Sequence, residues 1–140
     1  MASFISWGNQ FYTIIRTQLA GQAIANVSRV RRPCVFICSP YAGDIEANTA
    51  NARRFMRFAV EQGAIPFAPH LLYPQVLDDA DSHERGLALT FGLIWLDKCE
   101  ELWVFGDTVS CGMAKELERA AKREMPIRRF TLDLREVSDS

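Results

Sequence analysis

The segment Ser110-Cys-Gly-Met-Ala-Lys-Glu116 gathers a hydroxyl, a thiol, a glycine and a carboxylate. Ser110 is suited to cap a helix, because its side-chain oxygen can accept from a backbone N–H that the helix leaves without a partner. Gly112 lets a ligand approach the backbone, and free N–H groups at a helix start can cradle an anion. Glu116 falls one to two turns further on, at the edge of a mostly apolar stripe of Met113, Leu117, Ala120, Ala121 and Glu124. Spacing alone leaves two readings open. In one, the carboxylate projects into a half-buried place at the carboxyl end of a sheet. In the other, it pairs with Lys115, Arg119 or Arg123 on a solvated face. Cys111 is either a helix-start thiol of lowered pKa or a small filler.

A second group of candidates lies in two loops. Ser39-Pro-Tyr-Ala-Gly-Asp44 carries a hydroxyl, an aromatic ring and a glycine. Tyr41 either stacks on a ligand or packs within the loop, and Asn48 is expected to face the same cleft. His70 follows Pro69, where it orients a substrate, acts as an acid or caps the loop; Asp78 and Asp79 share that loop. Arg85 sits just inside a helix N-terminus, where a cation is disfavoured, so it is a candidate for a phosphate or an acidic partner. Cys34 and Cys38 share a strand face, but their spacing matches no usual zinc pairing. With His70 and His83 the only histidines, no metal site is expected. The chain has no Gly-x-Gly-x-x-Gly, no P-loop and no Gly-x-Ser-x-Gly, so a dinucleotide fingerprint, a Walker site and a nucleophile elbow are not supported.

Alternating elements must position these residues. Cys34–Cys38 is an apolar run of strand formers, as in a strand buried on both faces. A helix capped by Asp44 follows, with Ile45, Ala52, Phe55, Met56, Ala59 and Val60 on one face and Gly63 as its stop. Ala64–Ala68 is a short strand that Pro66 assigns to a sheet edge. Residues 69–80 read as an irregular loop. Asp81 and Glu84 have capping-box spacing before a helix running to about Cys99, apolar nearly all round and therefore expected at a subunit interface. Leu102–Phe105 and Ile127–Leu132 are further strands around a helix that Pro126 ends, and the tail from Arg135 is polar. The pattern predicts an α/β three-layer sandwich with a mostly parallel four- to five-stranded sheet, Rossmann- or flavodoxin-like, with helices on both faces. Ligands of such sheets bind beyond the carboxyl ends of the strands, which selects the loops 39–44, 69–80 and 106–112. Residues 1–32 read as an N-terminal helical extension and linker, with Phe4, Trp7, Phe11, Ile14, Ile15 and Leu19 at mostly helical spacing, and residues 33–140 as the α/β domain.

Composition narrows the function. The chain has 140 residues, 49% of them hydrophobic and 24% charged, and a net charge of −1. That is ordinary globular usage, without the basic excess of a polymeric nucleic-acid binder. Four cysteines are too few for a disulfide scaffold and suit a reducing compartment. No run reaches the ~18 apolar residues of a membrane span, and the N-terminus lacks a basic signal-peptide region. A cytoplasmic protein is expected.

Ser-x-Gly-x-x-x-Glu after a strand ending in Phe-Gly resembles the nucleophile motif of the nucleoside 2-deoxyribosyltransferase-like superfamily. In spacing it is most similar to the 2′-deoxynucleoside 5′-phosphate N-hydrolases. Ile-Cys-Ser-Pro-Tyr-Ala-Gly-Asp, Ala-Pro-His-Leu-Leu and Leu-Trp-Val-Phe-Gly also resemble a small bacterial and phage domain family beside that superfamily. The resemblance covers residues 33–131. It implies Glu116 as a nucleophile that traps C1′ covalently, as in retaining glycosidases. It implies that Ser39, Tyr41, Gly43, Ser110 and Gly112 line a nucleotide or nucleoside, with the serines and backbone N–H groups on a 5′-phosphate. It implies no organic cofactor and a homodimer or larger homo-oligomer. The helix N-terminus is expected to keep Glu116 ionised. The superfamily's transferases carry an aspartate before the third strand as leaving-group acid. Here Thr90–Ile94 offers none and Asp97 lies nearer the helix end, so Asp79, His70 or Asp78 must substitute. Ser110 replaces the aspartate of the transferase loop, which favours a phosphate. The alternative is a nucleotide-binding or sensing module without turnover; a third reading is an assembly protein built around the leader.

Overall fold

The computed structural model describes residues 30–138. The chain divides into two units, Met1–Arg31 and Arg32–Ser140, and the second is described here. The expected leader helix lies outside the described residues.

Five strands and four α-helices alternate: β1 (Cys34–Cys38), α1 (Ile45–Glu61), β2 (Ile65–Phe67), α2 (Pro69–Leu72), α3 (Ser82–Lys98), β3 (Glu101–Phe105), α4 (Cys111–Lys122), β4 (Ile127–Phe130) and β5 (Glu136–Val137). The sheet order is β2-β1-β3-β4-β5. β1 pairs in parallel with β2 and β3, β3 with β4, and only β5 runs antiparallel. This is the predicted α/β sandwich. β1 and β3 lie inside the sheet and are almost wholly buried, which is why their sequences are continuous apolar runs. The order turns back between β1 and β3, because β2 lies on one side of β1 and β3 on the other. That reversal opens a crevice at their carboxyl ends.

Alternate residues of the strands feed two cores. On one face Val35, Ile37, Trp103, Phe105 and Phe130 pack against Phe55 and Ala59 of α1. Phe55 stacks on Phe105 with nearly parallel rings, 4.2 Å between centroids. On the other face Phe36, Cys38, Leu102 and Val104 pack against Leu96 of α3 and Met113 and Ala120 of α4.

Local signals account for most boundaries. Asp44 caps α1 by accepting from the N–H of Ala47 at 3.1 Å, and Gly63 stops the chain behind it at φ +84°, a conformation that costs glycine little. Asp81 caps α3, accepting from His83 and Glu84 N–H at 2.9 Å. The reciprocal half of the capping box does not form: Glu84 accepts from the backbone N–H of Asp78 instead.

Two expectations need correction. Ile45 and Val60 are exposed rather than part of the buried face of α1, since the sheet covers only the arc bearing Ala52, Phe55 and Ala59. Residues 69–80 are not irregular throughout: Pro69 and Pro74 each start a short helical turn, α2 and the 3₁₀ turn Tyr73–Gln75, as proline at a helix start allows. Helix α3 leaves Phe91, Ile94 and Trp95 exposed in the single chain. The polar tail adds a short fifth strand. Leu134 turns it back at φ 66°, and Arg128 grips Glu136 through two bonds of 2.7 and 2.8 Å.

Candidate active site

The loop after β1, the turn after β2 and the start of α4 converge at the crevice between β1 and β3. They enclose a cavity of about 470 Å³ lined by Ser39, Tyr41, His70, Asp79, Arg85, Ser110, Gly112 and Glu116, with Cys111 and Lys115 beside them. The size is that of a small-molecule site. A second hollow of about 460 Å³ adjoins it and shares Tyr41, Pro74, Asp79 and Arg85 as a common wall.

Ser110 is the N-cap of α4, its Oγ accepting from Met113 N–H at 3.3 Å. The cap turns the helix start towards the cavity and puts Glu116 a turn and a half inside it. Glu116 is half-buried, reached by solvent through the cavity and surrounded by protein elsewhere. Its carboxyl accepts from the buried Cys38 thiol at the end of β1. The solvated pairing with Arg119 and Arg123 does not occur: both bind Asp97, Arg119 through its Nε at 2.8 Å and Arg123 at 3.3 Å. Burial pushes the Glu116 carboxyl up to about 7, against the lowering effect of the Cys38 bond. This corrects the expectation that the helix start keeps Glu116 ionised; desolvation of the charged form outweighs the dipole. The same burial, with the carboxylate beside it, pushes the Cys38 thiol well up, so it remains a protonated donor.

Ser39 is buried at 7% exposure, and its Oγ lies 2.9 Å from Nε2 of His70. Burial lowers His70 from its ordinary value to about 4, so its imidazole is neutral at physiological pH. Arg85 reaches from the first turn of α3 to Asp79, Nη2 to Oδ2 at 3.4 Å. That contact explains a cation at a helix start. Two predicted residues stand behind the wall rather than in it. Asn48 donates from Nδ2 to the carbonyls of Tyr41 and Ala42, both at 3.0 Å. Gly43 supplies the turn at φ +98° that leads into α1. They brace the loop that carries Ser39 and Tyr41. Asp97 is held ionised by Arg119 and Arg123 and is not among the lining residues.

Cys38 is the residue the sequence reading passed over. Its position one residue before Ser39 at the end of β1 is the signal that puts it next to the crevice. No cluster of three or more His, Cys, Asp or Glu suited to a metal ion occurs among the described residues, and none of their helices is long and apolar enough to cross a membrane.

The fold is that of the 2-deoxyribosyltransferases. The 2-deoxyribosyltransferase of the psychrotolerant bacterium Bacillus psychrosaccharolyticus superposes with a TM-score of 0.55 at 16% identity, over 76% of this chain and 77% of that one. A second similar structure, the 2-deoxyribosyltransferase from Leishmania mexicana, gives a TM-score of 0.42 at 18% identity over 71% of this chain and 64% of that one. Within that fold the chain belongs to the family described as a domain of unknown function, DUF7768, which matches residues 33–130. Among curated proteins there is no match.

Proposed function

We propose that residues 33–140 form an enzyme that cleaves or exchanges the N-glycosidic bond of a (deoxy)nucleoside 5′-monophosphate, with Glu116 as the nucleophile. The observation that carries this reading is the half-buried carboxyl of Glu116 on the wall of a nucleoside-sized cavity at the β1/β3 crevice. Ionised, it attacks C1′ from the face opposite the base and forms a glycosyl ester through an oxocarbenium-like state. The start of α4, Ser110 and Arg85 supply donors for the phosphate. Tyr41 stands where it can stack on the base, and Asp79 is the acid that protonates it. His70, neutral above about pH 4, suits a hydrogen-bonding or basic role better than that of a charged acid. The reading includes a cytoplasmic protein that acts on a small molecule. It also includes a homo-oligomer, in which a second copy covers Phe91, Ile94 and Trp95 of α3.

The test is release of free base from a panel of ribo- and deoxyribonucleotides and nucleosides, by wild type and Glu116→Gln in parallel. Release by wild type alone supports the reading. A transition-state role requires the variant to lose turnover while keeping affinity.

The second reading, a nucleotide-binding module without turnover, is favoured by the pairing of Asp79 with Arg85, which engages the candidate acid. It predicts binding without base release and affinity that survives Glu116→Gln.

A further inference from the structure

We propose that Ser39 and His70 form a proton relay that activates water against the glycosyl–Glu116 ester, so that the site hydrolyses its substrate rather than passing the sugar to a second base. The inference rests on the proposed glycosidase reading and assigns that reading's second half-reaction.

The two residues come from different elements, β1's end and the turn after β2, and meet at 2.9 Å. Both line the cavity that contains Glu116. Ser39 is the sole buried polar residue among those described. A hydroxyl in such a place needs a partner, and here the partner is an ionisable ring rather than a backbone group. With the ring proton on Nδ1, Nε2 accepts from the Ser39 hydroxyl, leaving the Ser39 oxygen free to accept from a water in the cavity. Burial keeps the ring neutral, so at physiological pH the base form is the one present. A neutral base also adds no negative charge to a site proposed for a phosphate, unlike a further carboxylate beside Glu116 and Asp79. The charged groups facing the pair across the cavity are Glu116 and Lys115 of α4, Arg85 of α3 and Asp79 of the preceding loop.

The atoms balance as follows. In the first half, a Glu116 oxygen bonds C1′, the C1′–N bond breaks, and the base leaves with that electron pair and a proton. In the second, water oxygen bonds C1′ and the C1′–O bond breaks, returning its electron pair to Glu116. The water proton passes to Ser39 Oγ as the Ser39 proton passes to His70 Nε2. The imidazolium then loses its proton to solvent. The net reaction consumes one water and releases free base and sugar phosphate.

The test uses the full chain and the nucleotide that gives base release in the panel. His70→Gln keeps a polar partner for Ser39 but cannot take its proton; Ser39→Ala removes the relay from the other end, and folding of both is checked by thermal denaturation. Each variant should retain a stoichiometric burst of base and then turn over about 10²–10⁴-fold more slowly, the usual range for a lost general base. Intact mass should show the sugar phosphate accumulating on the protein, mapped to the peptide containing Glu116. Azide, a nucleophile that needs no deprotonation, should restore turnover. A burst with no accumulated adduct and near-normal turnover would overturn the relay and leave the glycosidase reading standing. Absence of any base release from wild type would overturn that reading and the relay with it, as would an adduct mapped to Ser39.

Discussion

Nη2 of Arg85 and Oδ2 of Asp79 stand 3.4 Å apart on the wall common to the two hollows. The pair is partly exposed, so its own contribution to stability is small. Its interest is that each member is assigned a separate task. Arg85→Ala should leave stability within about 0.5 kcal/mol. It should lower kcat/KM for nucleoside monophosphates by about 10–100-fold, as loss of a charge-assisted bond does, and leave the corresponding nucleosides nearly unaffected. Steady-state kinetics on matched pairs of substrates checks this.

Glu116→Gln should abolish base release and stabilise the protein at high pH. Glu116 is raised from 4.5 to about 7 in the fold, so the folded state holds its proton more tightly than the unfolded state. The stability this confers is complete below pH 4.5 and disappears as pH rises through 7. The neutral amide has no such loss, so the variant should gain up to about 3 kcal/mol over wild type at pH 8–9 and nothing at pH 4. Urea denaturation across that range measures the difference.

His70 acts with the opposite sign. Its folded value of about 4 lies below the ordinary 6.5, so the unfolded state takes up the proton first. Stability is complete above pH 6.5 and falls as pH drops towards 4, by up to about 3 kcal/mol. Between pH 4.5 and 6.5 the two groups nearly cancel in wild type. Glu116→Gln should therefore lose stability on acidification, His70→Gln should gain it, and the double variant should vary least. Because the groups share one cavity, the single effects need not add.

Asn48→Ala should raise KM more than it lowers stability. The side chain braces two carbonyls of the loop that carries Tyr41, and each bond contributes about 1 kcal/mol. The expected cost is about 1–2 kcal/mol in denaturation, with a several-fold rise in KM for nucleotide and nucleoside alike. Equal sensitivity in both distinguishes a loop brace from a phosphate contact.

Gly112→Ala should fold normally, since an added Cβ meets nothing nearer than Ser110 Oγ at 4.0 Å and alanine is the better helix former. Nucleotide affinity should nonetheless fall, because the residue lines the cavity and the methyl stands where the ligand approaches. Calorimetry of binding beside thermal denaturation separates the two effects.

The fold was legible where burial writes a periodic pattern. Cys34–Cys38 and the Asp44, Asp81 and Ser110 caps lie at the predicted positions, since an internal strand and a capped helix each leave a strong local signature. The pair Glu136–Val137 was not legible, because two residues cannot show alternation and Arg128 selects their register from outside the segment. At the site, Ser39, His70, Asp79, Arg85, Ser110, Gly112 and Glu116, drawn from the loops at the strand ends and from the family resemblance, all line one cavity. The protonation of Glu116 was not legible, because it depends on how far the fold buries the carboxyl beside Cys38, a tertiary quantity with no sequence signature. The same holds for the Ser39–His70 contact, whose partners are 31 residues apart.

The two borders of the sheet bear on how copies of the molecule can meet. One border is β2, three residues long with Pro66 at its middle; the other is β5, two residues long and clasped by Arg128. Neither offers the long row of free amides that recruits a foreign strand. Among the described residues, strand-to-strand polymerisation is thereby disfavoured at both margins of the sheet. Substitutions at the exposed Phe91, Ile94 and Trp95 of α3 can therefore change the surface of the molecule without disturbing the sheet.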